Sequence, residues 1–225
     1  MRVLALFAAI VACSMAAEKD LVFDVVFLID GSASAQPTFD NFTHFIQDLM
    51  VSFNVGINGA RVGLVVVAPD IDDQAPPAAQ LNFITSQASL NAYLVSLKDN
   101  WADFDHAGQL LSYNLKVVTS ADFMSPSNGY RSNIHNHLLI YITATTSFNE
   151  DPIPLAQSII RNKQYGIITV GVGNGLDHKK LNSISGGSAC TFMAKNAEEL
   201  HSKIKPIQRH VMRADANNGS YCNKD

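Results

Sequence analysis

Between residues 23 and 29 the chain is a continuous apolar, β-branched run interrupted only by Asp24, and it stops at Asp30-Gly31-Ser32. Such a run, lacking polar alternation, predicts a strand covered on both faces, as in a parallel sheet. From Thr38 the period changes. Phe42, Phe45, Ile46, Leu49 and Phe53 recur at helical spacing, while Asn41, His44, Asp48 and Ser52 fill the opposite stripe, which predicts an amphipathic helix laid on a sheet. The alternation continues with a buried strand over 61–68, a Pro- and Asp-rich loop over 71–79 and a short strand over 81–84. Helices are predicted over 89–97, 105–118, 155–161 and 176–184, and strands over 138–143, 167–172 and 189–193. Asn196-Ala197-Glu198-Glu199 has the form of a helix cap with a returning carboxylate, and Leu200, Ile204, Ile207 and Val211 give the final helix its apolar stripe. Pro206 inside that helix is expected to bend it or divide it in two. Strands that alternate with helices predict an α/β fold, a doubly wound, mostly parallel central sheet flanked by helices on both faces. Ligands of such sheets bind outside the carboxyl ends of the strands, near a topological switch point.

The ends of the chain add a compartment. Arg2, an apolar run over 3–11 and small residues through Ala17 read as a secretory signal peptide over 1–16. Its apolar core is too short to span a bilayer. No later stretch is apolar enough to anchor the chain, so no membrane insertion is expected and the product is expected to be secreted and extracellular. One domain over 17–213 and a C-terminal tail over 214–225 follow. Of three cysteines, Cys13 leaves with the leader, and the remaining pair, Cys190 and Cys222, predicts a disulfide that ties the tail back. Asn41-Phe42-Thr43 and Asn218-Gly219-Ser220 fit the glycosylation pattern. The formal net charge of −4 argues against a nucleic-acid partner, and Lys203, Lys205, Arg209 and Arg213 read as the solvated face of a helix.

Asp30, Ser32 and Ser34 stand at alternate positions directly beyond the first strand. A carboxylate with two hydroxyls is a hard oxygen set suited to Mg²⁺, Mn²⁺ or Ca²⁺. The same serines also suit a helix cap. His135 and His137 lack a nearby Cys or carboxylate and read as surface or packing residues, as does Trp101. Gly171-Val172-Gly173-Asn174-Gly175 lacks the spacing of a nucleotide loop, and no GxSxG, HExxH or Cys-His nucleophile pattern occurs, so no enzyme class is indicated.

The stretches Asp24-Val25-Val26-Phe27-Leu28-Ile29-Asp30-Gly31-Ser32-Ala33-Ser34, Arg61-Val62-Gly63-Leu64-Val65, Gly108-Gln109-Leu110-Leu111 and Gly166-Ile167-Ile168-Thr169-Val170-Gly171-Val172-Gly173 resemble the von Willebrand factor type A domains over nearly the whole mature chain. The resemblance implies a metal-ion-dependent adhesion site drawn from three loops. Its partner would be an extracellular protein such as a collagen or another matrix or cell-surface protein. The first loop matches. The threonine of the second loop falls on Asp105, or else Asp103, and the aspartate of the third falls on Ala144. One acid is lost and one gained, so Asp30, Ser32, Ser34 and Asp105 are the expected ligands of a divalent cation. The alternative expectation is a structural or scaffolding protein whose site is vestigial and metal-free.

Overall fold

A computed structural model describes residues 21–68, 79–100 and 107–216, together with Cys222. The leader, most of the Pro- and Asp-rich loop, Trp101, Asp103, Asp105 and Asn218 lie outside the described residues.

Five strands form one sheet: β1 (Phe23–Asp30), β2 (Ala60–Val67), β3 (His137–Thr143), β4 (Gly166–Val172) and β5 (Thr191–Ala194). Their spatial order is β2-β1-β3-β4-β5, and every neighbouring pair is parallel. The helices are α1 (Phe39–Met50), α2 (Gln87–Asn100), α3 (Leu111–Val118), α4 (Ile153–Arg161), α5 (His178–Ser185), α6 (Ala197–Ser202) and α7 (Ile204–Ala216).

All eight residues of β1 are buried, as the unbroken apolar run predicts, and the pleat sorts them between two cores. Val25, Phe27 and Ile29 join a cluster with Phe42, Ile46 and Leu49 of α1, Leu90 and Leu94 of α2, and Ile207 and Val211 of α7. Val26 and Leu28 point the other way, to Leu111 and Leu115 of α3, Ile159 of α4 and Leu181 of α5. The sheet is therefore doubly wound. After β2 the chain crosses from one side of β1 to the other, so the switch point lies between the carboxyl ends of β1 and β3.

Asp24, the one charged position in the first strand, is fully buried and its partner comes from 107 residues away. Arg131 donates to it from Nε at 2.8 Å, with Nη2 in ion-pair contact at 2.6 Å, and Nη2 donates to the carbonyls of Phe23 and Gly59. His137 packs into the same cluster, its Nδ1 3.4 Å from Asp24 Oδ2 and its ring stacked on Tyr130, whereas His135 is exposed. This cluster lies at the amino ends of β1 and β3, opposite the switch point.

Three local expectations need correction. Residues 81–84 form a turn, not a strand; Leu81 and Ile84 point inward while Asn82 and Phe83 point out, a three-residue repeat that no pleated strand presents. The pairing there shrinks to one antiparallel bridge, Ala79 with Leu64. Helix α3 begins at Leu111, not at 105, because Gly108 takes φ +88° and Leu110 is still non-helical. The strand expected over 189–193 begins only at Thr191, after a single 3-10 turn. The last helix is divided in two as expected, with its break at Lys203, so that Pro206 falls in the first turn of α7, where a missing N–H costs no intrahelical bond. The Asn196 cap forms as predicted: its side chain accepts from Glu199 N, and Glu199 returns to Lys195 N.

Candidate functional site at the carboxyl ends of β1 and β3

Asp30 closes β1 and is fully buried. Its Oδ1 accepts from Ser32 N at 2.9 Å, turning the chain away from the strand direction, and Gly31 N donates to Val67 O on β2. Its Oδ2 faces β3, accepting from Thr143 Oγ1 at 2.8 Å and from Ala144 N at 2.9 Å. Among the described residues no cation pairs with it. Burial raises the Asp30 pKa, and the hydrogen bonds from Ser32, Ala144 and Thr143 only partly oppose that rise.

Ser32 is fully buried beside this carboxylate, and its Oγ has no well-formed hydrogen bond. Ser34 is exposed at the outer side of the turn. Ala144, where the family pattern places an acid, offers only its backbone N–H to Asp30. The structure thus brings Asp30 and Ser32 together, leaves Ser34 at the rim, and gives no account of Asp105.

Three residues not anticipated from the sequence complete the site. Thr143 accepts from Gln109 Nε2 at 3.0 Å, and Gln109 Oε1 accepts from the hydroxyl of Tyr141. Gln109 and Tyr141 are fully buried, and the Tyr141 pKa is raised well above its ordinary value by burial first and by the charge of Asp30 second. A polar residue closing an apolar strand was the available signal for Thr143; Gln109 falls in a stretch that carries the family resemblance, but nothing there marks its amide as part of the site, and nothing marks Tyr141.

Chemically, the described residues supply part of a hard oxygen donor set: one carboxylate, one buried hydroxyl without a well-formed hydrogen bond and one exposed hydroxyl. Among the described residues no three His, Cys, Asp or Glu side chains gather to hold a metal. An unsatisfied buried hydroxyl beside an uncompensated buried carboxylate is nonetheless the environment that an oxygen-liganded cation relieves. Of the other candidates, Cys190 and Cys222 form the expected disulfide, with Cα atoms 5.5 Å apart. Asn41 is half-buried and lines a small groove between α1 and α6 with His44, Asp48 and His201. No described helix is long and apolar enough to cross a membrane.

The sequence profile described as "von Willebrand factor type A domain" matches residues 24–206, from the start of β1 into α7. The chain belongs to the von Willebrand factor type A (vWA) domain family. Protein irg-7 of Caenorhabditis elegans is 56% identical over 200 residues, which is 89% of this chain and 9% of that protein. The collagen alpha-4(VI) chain of Mus musculus is 26% identical over 200 residues, 88% of this chain and 8% of the collagen. The chain therefore spans less than a tenth of the length of either relative, and aligns with a vWA segment of a much larger protein. Among solved structures, proximal thread matrix protein 1 from the mussel byssus, with zinc occupied MIDAS motif, superposes with a TM-score of 0.68 at 20% identity. It covers 84% of this chain and 47% of that one. The fold is thus a vWA fold, and the relationship to a collagen VI chain links it to extracellular matrix proteins.

Proposed function

We propose that this vWA domain is a secreted recognition module, not an enzyme, that binds an extracellular protein through the loops at the carboxyl ends of β1 and β3. The partner class is a collagen or another matrix or cell-surface protein. Asp30, Ser32 and Ser34, with Asp105 from the second loop, hold a divalent cation (Mg²⁺, Mn²⁺ or Ca²⁺) that completes the site. The observation that carries this reading is the Ser32 hydroxyl, buried beside the Asp30 carboxylate with no well-formed hydrogen bond, where no cation among the described residues neutralises that carboxylate. The matrix relatives and the zinc-occupied neighbour support it. Hydrolysis lacks its parts: among the described residues neither serine hydroxyl is hydrogen-bonded to a histidine that would act as its base.

One observation favours a second reading, a structural or scaffolding protein with a metal-free site. Ala144 brings no acid, and Asp30 Oδ2 is already engaged by Thr143 and Ala144 N. Calorimetric titration with Mg²⁺, Mn²⁺ and Ca²⁺ separates the two. The first reading expects binding heat that Ser32→Ala diminishes and Asp30→Ala abolishes. Absence of heat for all three ions in the wild type would leave the metal-free reading.

A further inference from the structure

The residues behind Asp30 form a directed chain. Tyr141 donates its hydroxyl hydrogen to Gln109 Oε1, which orients the amide so that Nε2 faces Thr143 Oγ1 at 3.0 Å. Thr143 accepts that bond and stands 2.8 Å from Asp30 Oδ2. The single Thr143 hydroxyl hydrogen has two acceptors in reach, Asp30 Oδ2 and Thr145 O at 2.6 Å; when it faces the carboxylate, each bond polarises the next in the sense that favours negative charge at Asp30. Tyr141, Gln109, Thr143 and Asp30 are all fully buried, which strengthens these dipoles and excludes competing water.

Gln109 is also the point at which the segment leading into α3 is fastened to the site. Its carbonyl accepts from Asn149 N at 2.9 Å, the next residue, Leu110, donates its N–H to Ala68 O at 3.0 Å beyond β2, and Gly108 packs against the Asn149 side chain. Gly108 takes φ +88° to bring the chain there. The segment that leads into α3 is thus tied at once to β2, to the loop after β3 and, through one amide side chain, to Asp30.

We propose that Gln109 and Tyr141 are positioning residues for the recognition site. Together with Thr143 they fix the Asp30 carboxylate and register the start of α3 against it, so that the loop after β1, the loop after β3 and residues 108–110 behave as one unit. This rests on the reading of Asp30 as the recognition centre. It assigns to a glutamine and a tyrosine the task of holding that centre where the third-loop acid is absent.

The test is amide hydrogen exchange on the full chain without added metal, comparing wild type with Tyr141→Phe and Gln109→Glu. Tyr141→Phe removes only the first donor. Gln109→Glu keeps an acceptor for Tyr141 and replaces the donor facing Thr143 by a carboxylate oxygen. Both are expected to speed exchange at the Ser32 and Ala144 amides, which bond to Asp30, by about fivefold, the worth of one typical hydrogen bond. Leu139 and Ile140, in the middle of β3, are expected to keep their protection. Unchanged exchange at Ser32 and Ala144 overturns the proposal, and so does a uniform rise along β3, which marks general loosening. Manganese titration of the same variants reads the site itself: weaker binding in each, with the Tyr141→Phe, Gln109→Glu double variant no weaker than the weaker single variant, is the expected coupling. Wild type that binds neither ion nor partner at this edge defeats the recognition reading alone, because the exchange measurement still decides whether the chain positions Asp30.

Discussion

Replacing Arg131 by alanine isolates the ion cluster at the amino ends of the strands from the site at their carboxyl ends. Arg131 is nearly buried, and it is the residue that answers the fully buried Asp24 with a hydrogen bond and an ion-pair contact to Oδ1 while capping the carbonyls of Phe23 and Gly59. Removing one partner of a buried pair leaves the other charge without compensation, at a cost of about 3–5 kcal/mol. Two features place this variant toward the lower end. The Arg131 main-chain N–H still donates to Asp24 Oδ2 at 3.0 Å, and His137 Nδ1 lies 3.4 Å from the same oxygen. A loss of about 3 kcal/mol corresponds to a thermal midpoint roughly 6–12 °C lower for a domain of this size. Urea denaturation checks the free energy directly: the midpoint should fall while the slope stays constant. Lys98→Ala, which removes an exposed pair with Asp40, is the control and should leave the midpoint close to wild type. A loss below about 1 kcal/mol for Arg131→Ala would refute the reasoning, because it would mean that the folded protein does not depend on Arg131 to compensate Asp24. Below its transition, Arg131→Ala should retain the ion and partner binding of the wild type, since the cluster and the site occupy opposite ends of β1.

Ser32→Ala should leave thermal stability unchanged or slightly raised, since the hydroxyl it removes is buried without a well-formed hydrogen bond, while weakening divalent-ion binding in calorimetry. Cys222→Ser should cost about 3–4 kcal/mol, because the Cys190–Cys222 bond closes a loop with a sequence separation of 32; the check is the urea midpoint with and without reductant. Gly108→Ala should destabilise by about 1–2 kcal/mol and weaken ion binding, because φ +88° is strained for alanine and its methyl would meet the Asn149 side chain. Burial raises the Asp30 pKa in the folded state, so its contribution to stability is fully present below the unfolded value and is lost as pH rises through the folded one. Without metal, the thermal midpoint of the wild type should therefore fall relative to Asp30→Ala as pH increases from about 4, and Mn²⁺ at neutral pH should reverse the loss.

The apolar periodicities carry most of this fold. The run before Asp30 and the 42/45/46/49/53 stripe need only local sequence to specify a doubly covered strand and the helix laid on it, and both stand as expected. The short run over 81–84 does not, because four residues fit a turn as well as a pleat, and burial of Leu81 and Ile84 alone selects the turn. The same contrast holds at the site. Asp30 and Ser32 are legible because they directly follow a strand that must end. Gln109 and Tyr141 are not, because each looks like an ordinary residue of its own segment, and their role arises from contacts across 32–34 residues of chain. Asp24 carried half of a signal: a charge inside a buried strand requires a partner, but nothing local points to Arg131 as that partner.

The central claim is that this vWA domain recognises a protein through the loop that begins at Asp30. Affinity capture from an extracellular matrix extract, with immobilised wild type and Asp30→Ala run in parallel in Mn²⁺ and then in chelator, tests it most directly. The account predicts a matrix or cell-surface protein that the wild type retains, that chelator elutes and that Asp30→Ala does not hold. The same proteins retained equally by both, in Mn²⁺ and in chelator alike, would contradict it.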